Sequence, residues 1–170
     1  MNAEQIVIDR FCERFPFLTD RIYITRPKRI FTTALTRNEF EQIVRFAKYE
    51  AGFTRMHNLV GTDDGDDIGF LYMLSNDEHI MLTLRETAPK SDPWVNSMVQ
   101  LFPCVLWHER ELVDLFGADV RALPDGPTYP LPDGWPKGNY PMRKDWDVTR
   151  FNKDTMTYTP ASADKEATDE

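Results

Sequence analysis

The spacing of apolar residues divides the chain into a front part with regular periodicity and a back part without it. Ile8, Phe11, Cys12 and Phe15 make one apolar stripe at helical spacing, Asn2 with Gln5 three residues on supplies a helix start, and Pro16 ends it. Residues 21–25 and 29–35 are β-rich runs separated by Pro27, which predicts two short strands joined by a turn. Thr36 and Glu39 have capping-box spacing, and Phe40, Ile43, Val44 and Ala47 recur on one helical face until Gly52. Three further strands are expected over 53–60, 68–74 and 78–86, with turn signals at Asp64-Gly65 and Asn76-Asp77. Antiparallel pairing is their economical arrangement. The middle run is apolar on both faces, which places it inside the sheet with helices over at least one side.

Residues 105–117 predict another helix, closed by Gly117 at the C-cap. A helical projection puts Val105, Leu106, Leu112, Val113, Leu115 and Phe116 on one broad arc, with Arg110, Glu111 and Asp114 opposite. Glu109 falls inside the apolar arc and His108 sits near its edge. A buried carboxylate is tolerated only if it is paired, hydrogen-bonded or neutralised by a raised pKa. Three accounts of Glu109 stand open: an internal pair with an Arg of the sheet such as Arg55 or Arg85, a contact with another subunit, or a proton-transfer role.

From residue 121 to 160 the periodicity ends. Seven of the chain's twelve prolines fall there, and such a segment builds neither helices nor central strands. Yet Tyr129, Trp135, Tyr140, Trp146, Phe151 and Tyr158 punctuate it. Extended chain this rich in aromatics is stable only when laid on a surface, either its own domain or a partner. Its length could cover a standard interface, for which about 20 to 30 residues a side is typical. Within it Arg143 can fork onto a carboxylate or carbonyl pair in a way Lys144 cannot, while Asp145 offers a local acid for a plain surface cluster. The expected class is α+β: a small mixed, mainly antiparallel sheet packed with helices over 1–120, an extended Pro- and aromatic-rich docking arm over 121–160, and a disordered acidic tail over 161–170.

Composition narrows the function. With 41% hydrophobic and 28% charged residues in 170, the chain is an ordinary soluble domain. Its formal charge is −8, and it has no Lys/Arg stripe of the kind a phosphate backbone needs, so no nucleic-acid partner is expected. No run approaches the roughly 18 apolar residues that span a bilayer, and residues 1–15 alternate charged with apolar positions, unlike a signal segment. A cytoplasmic protein is expected, with any membrane attachment through another polypeptide. Cys12 and Cys104 are far apart and cannot supply the four thiolates of an iron–sulfur cluster; two buried thiols and no cofactor are expected. The run Asp63, Asp64, Asp66 and Asp67 lacks the calcium-loop ligand pattern and reads as a solvated hairpin tip. His108, Glu111 and Asp114 recur at three-residue intervals, which leaves a small metal-dependent enzyme as an alternative, although that spacing drifts about 60° per step around a helix. No nucleophile elbow, Gly-rich phosphate loop or paired-carboxylate site is evident.

The run Glu109-Arg110-Glu111, then Asp114, then Phe116-Gly117, resembles the signature of the thirty-kilodalton subunit family of complex I. The tract 131–136 with Trp135, followed by Tyr140-Pro141-Met142-Arg143-Lys144-Asp145, is similar to that family's closing segment. Residues 123–128 depart from the pattern: Leu-Pro-Asp-Gly-Pro-Thr stands where the complex I version has a His-Pro-Asp-Leu-Arg-Arg-type stretch. That departure favours the branch in membrane-bound energy-converting [NiFe]-hydrogenases and formate hydrogenlyase-like complexes, with the C-type subunit of NADH:quinone oxidoreductase as the alternative. The resemblance implies a non-catalytic subunit of the hydrophilic arm, peripheral on the inner face of the cytoplasmic membrane. It implies packing against a large [NiFe]-hydrogenase-type or complex I 49-kDa-type subunit and small iron–sulfur subunits. The Ni–Fe centre and iron–sulfur clusters would belong to those partners, and the motif residues would serve docking.

Overall fold

The structure is a computed structural model describing residues 2–160, so the tail expected at 161–170 lies outside the described residues. In chain order the elements are α1 (Ala3–Arg14), β1 (Ile22–Arg26), β2 (Arg29–Thr33), α2 (Arg37–Tyr49), β3 (Arg55–Asp63), β4 (Asp67–Ser75), β5 (Met81–Pro89) and β6 (Trp94–Asn96). They continue with α3 (Leu106–Phe116), β7 (Asp119–Arg121), β8 (Phe151–Asn152) and β9 (Thr157–Tyr158). Both early helix starts form as their caps predict: Asn2 accepts from the Gln5 N–H at 2.8 Å and Thr36 from the Glu39 N–H at 3.1 Å. The Glu39 carboxylate reaches back to the Leu35 N–H at 2.9 Å and also pairs with Arg21 at 2.9 Å, tying the start of α2 to the entry of β1.

The main sheet has five strands in the order β1-β2-β5-β4-β3, with β2 and β5 parallel and the other pairs antiparallel. The fold class is thus the mixed, mainly antiparallel α+β arrangement expected. β5 starts at Met81 rather than at Glu78 because Asn76 closes a longer turn: its side chain accepts from the Ile80 N–H at 2.9 Å while His79 adopts φ 61°.

Alternation decides which face is covered. Ile30 and Thr32 of β2 lie beside Leu82 and Leu84 of β5, which lie beside Leu74 and Tyr72 of β4, and all six are buried. Their neighbours Phe31, Thr83, Met73 and Leu71 point to the other face and are only partly buried. The middle strand therefore has helices on one side only. Phe40 of α2 packs on Tyr72 with ring centroids 4.6 Å apart, and Phe11 of α1 meets Phe46 edge-on at 5.0 Å. Each fully buried side chain of this size contributes roughly 1.5–3 kcal/mol.

The cysteines depart from expectation. Cys12 is only partly buried beside the core, and Cys104 is exposed. Cys104 sits in a 3₁₀ turn, Pro103–Val105, of which only Val105 enters the core.

Candidate docking site

α3 is held in a small β-α-β unit, because β6 before it and β7 after it pair in parallel. The ring of Trp94 in β6 is flanked by the guanidinium groups of Arg37, 3.6 Å from its centroid, and Arg121, 3.7 Å away. That stack joins the first turn of α2 to β7.

Glu109 is buried as its place on the helical arc requires, at 0% exposure, but its partners are not arginines. The Ser97 hydroxyl donates to one carboxylate oxygen at 2.7 Å and the Met98 N–H to the other at 2.6 Å, both from the segment just after β6. The pair with Arg55 or Arg85, named in one of the three open accounts, does not form. Arg85 alternates to the open sheet face and pairs with Asp64 at 2.7 Å, and Arg55 pairs with Asp77 at the strand start. Burial pushes the Glu109 pKa up, and the bonds from Ser97 and Met98 pull part of that back. Nearby in the core, burial holds the Glu86 carboxyl up at about 8 despite the opposing charge of Arg37. Glu86 was missed as a buried acid at the level of sequence, although Leu82, Leu84, Glu86 and Ala88 share one strand face and that alternation was the available signal.

Arg110 corrects the helical projection. Placed there opposite the core, it is buried at 8% exposure because the arm, not the body, covers it. Its guanidinium donates to the Pro127 carbonyl at 2.8 Å and to the Pro124 carbonyl at 2.9 Å. Gly126 lies between these acceptors, and a Cβ there would collide with the guanidinium.

Further along, the arm turns back on α3. The Arg143 Nε–H donates to the Phe116 carbonyl at 2.7 Å, its guanidinium lies 4.6 Å from the Tyr140 ring centroid, and that ring fills the space beside Gly117. The Met142 N–H donates to Leu115, and the Lys144 N–H donates to Asp63 at 2.8 Å. Asp63 is therefore no solvated tip residue. Burial alone would raise its pKa, but the ion pair with Lys90 at 2.7 Å and the N–H groups of Lys144 and Gly65 hold it at about 2. Trp135 donates its ring N–H to the Asn139 carbonyl at 2.7 Å and clusters with Phe151, Trp146 and Tyr158 within the arm.

The remaining motif residues are less engaged. Asp114 accepts from the Leu131 N–H at 3.3 Å, Glu111 is half-buried, and Asp145 is exposed. Among the described residues no group of three His, Cys, Asp or Glu could hold a metal ion, so His108, Glu111 and Asp114 are not brought together as a site. A feature without a signal in the sequence is an outward aromatic pair: Trp107 and Tyr129 meet edge-on at 5.3 Å, yet are 50% and 46% exposed. α3 and the arm also enclose a groove of about 670 Å³ with Val113, Leu131, Trp135 and Tyr140 among its walls and Asp114, Asp119 and Asp133 beside them.

This fold, a one-sided sheet with a returning arm, is also that of a solved chain from the membrane-bound sulfane sulfur reductase, an archaeal respiratory membrane complex. The two agree with a TM-score of 0.76 at 19% identity, over 93% of this chain and 100% of that one. The family model for the respiratory-chain NADH dehydrogenase, 30 Kd subunit, matches residues 33–152, and the chain belongs to that family. Among curated relatives, the membrane-bound hydrogenase subunit beta of Pyrococcus furiosus is 28% identical over 85% of this chain and 87% of its own length. Formate hydrogenlyase subunit 5 of Escherichia coli is 30% identical over 78% of this chain, which amounts to 24% of that longer protein. The C-type subunit of an NADH-quinone oxidoreductase from Chloroherpeton thalassium is 35% identical, over 56% of this chain and 40% of its own length. No described helix is long and apolar enough to cross a membrane.

Proposed function

We propose that this chain is a non-catalytic docking subunit in the hydrophilic arm of a complex I-like, membrane-bound redox complex of the energy-converting [NiFe]-hydrogenase type. It packs against the large catalytic subunit and reaches the inner face of the membrane only through the complex. The observation that carries this reading is the half-exposed pair of Trp107 on α3 and Tyr129 on the arm, the arm being otherwise pinned to its own body. Rigid aromatics left outward on an ordered frame are the usual anchors of a protein interface. The formate hydrogenlyase relative supports a permanent partner, because there the matching region is about a quarter of one longer polypeptide.

The hydrogenase-type branch is favoured because similarity to the hydrogenase subunit runs through 85% of this chain, against 56% for the quinone oxidoreductase subunit. The alternative, the C-type subunit of NADH:quinone oxidoreductase, is separated by whether the copurifying large subunit binds nickel. On this reading the Ni–Fe centre and iron–sulfur clusters belong to the partner subunits. The test is copurification through a tag on this chain: Trp107→Ala with Tyr129→Ala should strip the large subunit while leaving the melting temperature of the free chain near wild type. Stoichiometric iron or nickel in the isolated chain would sink the proposal, as would saturable zinc or manganese binding to it.

A further inference from the structure

The groove between α3 and the arm has walls and charges that describe what enters it. Val113, Ala118, Leu131, Trp135 and Tyr140 give it apolar walls, and Asp114, Asp119 and Asp133 line it with Lys137 as the cation among them. A smaller adjoining groove of about 320 Å³ shares Asp114 and Asp119 and adds Asp125. Its Arg110 spends its hydrogen bonds on the Pro124 and Pro127 carbonyls and forms no ion pair with any of these acids among the described residues, so a single cation there stands against three carboxylates. Among the described residues Asp119 reaches only the exposed Arg121 at 3.3 Å, and Asp114 only the Leu131 N–H at 3.3 Å. Asp125 and Asp133 are exposed, and neither has a charged partner among the described residues.

Resting on the docking reading above, we infer that this groove receives a lysine or arginine side chain carried on an apolar-flanked segment of the partner subunit. The methylene stem of such a residue lies along apolar walls while its charged head reaches the carboxylates. Charge excludes the other occupants. Residues 161–170 carry Asp164, Glu166, Asp169 and Glu170 against Lys165, and would meet like charge in the groove. A second copy, at a net charge of −8, is opposed by the same repulsion.

The test uses the intact complex, held through a tag on this chain and washed with rising NaCl while the retained large subunit is quantified. Asp114→Asn with Asp133→Asn keeps side chains that can still accept from Leu131 but removes two charges. It should lower the salt concentration of half-release by about half, as expected for partly exposed ion pairs. Lys137→Glu adds to the negative field and should shift release the other way, to higher salt; this opposite sign guards against a mere loss of folding. An unchanged release point in the double variant, or a lower one with Lys137→Glu, overturns the groove assignment. If Trp107→Ala with Tyr129→Ala releases the partner while the Asp variants do not, docking stands and the groove assignment alone falls. If the wild-type chain retains no large subunit at low salt, the docking reading falls and takes the groove with it.

Discussion

Arg143 closes the end of α3: its Nε–H donates to the Phe116 carbonyl at 2.7 Å, the last residue before the left-handed cap at Gly117. A cation at a helix C-terminus meets both the orphan carbonyl and the negative end of the macrodipole. Arg143→Ala should cost about 1–2 kcal/mol in urea unfolding, the scale of a charge-assisted hydrogen bond. Arg143→Lys should recover only part, because the planar group over Tyr140 is lost. Equal midpoints for wild type and Arg143→Ala would show that the contact contributes nothing.

Gly117 carries two constraints at once, φ of 68° and the ring of Tyr140 against the place a Cβ would occupy. Gly134 shares the positive φ, at 85°, with open space around it. Ala at Gly134 should therefore cost about 1 kcal/mol for backbone conformation alone. Gly117→Ala should cost clearly more and loosen the arm, which faster limited proteolysis between residues 121 and 140 would report.

Glu86 sets a pH dependence of definite sign. Its carboxyl is raised from 4.5 to about 8 by burial, so between those values the folded state holds a proton that the unfolded chain has released. Its contribution is fully present below about 4.5 and is lost as pH rises to about 8. Glu86→Gln keeps a neutral group of similar shape. Its unfolding free energy should be flatter across that window and exceed wild type above pH 8, as chemical denaturation at several pH values would reveal.

Asp63 acts in the opposite sense. Held at about 2 against an ordinary 3.8, it contributes stability that is present above 3.8 and lost as pH falls toward 2. Asp63→Asn should erase this acid limb and weaken the arm's hold on the hairpin. A variant whose acid unfolding curve overlays wild type would show that the bonds from Lys90 and Lys144 do not matter to stability.

The sequence made legible whatever local periodicity encodes. The caps at Asn2 and Thr36, the buried face of α2, the interior place of the middle strand and the misplaced acid Glu109 all follow from spacing within a single element. What escaped it depends on chain returning from far away. Arg110 is polar-faced on its own helix and becomes buried only because residues 124–127 fold over it. Asp63 belongs to an acidic turn and becomes buried partly because Lys144 reaches it from 81 positions along the chain. The partners of Glu109 were hidden for another reason: a backbone N–H and a serine carry no signal that distinguishes them from any other turn. Arg85 as its partner could have been rejected, since its strand position faces away from the helices. Trp107 escaped because an outward aromatic on a helix has no mark until Tyr129 is set beside it.

The five residues from Tyr140 to Lys144 hold two distant places together, the terminus of α3 and the tip of the β3–β4 hairpin. Peeling them away exposes both at once, so amide exchange at the hairpin and at the last turn of α3 shares one opening step. By thermodynamic reciprocity, a neighbour that grips the seated form more tightly slows exchange in the sheet by the same free energy that it gains in affinity.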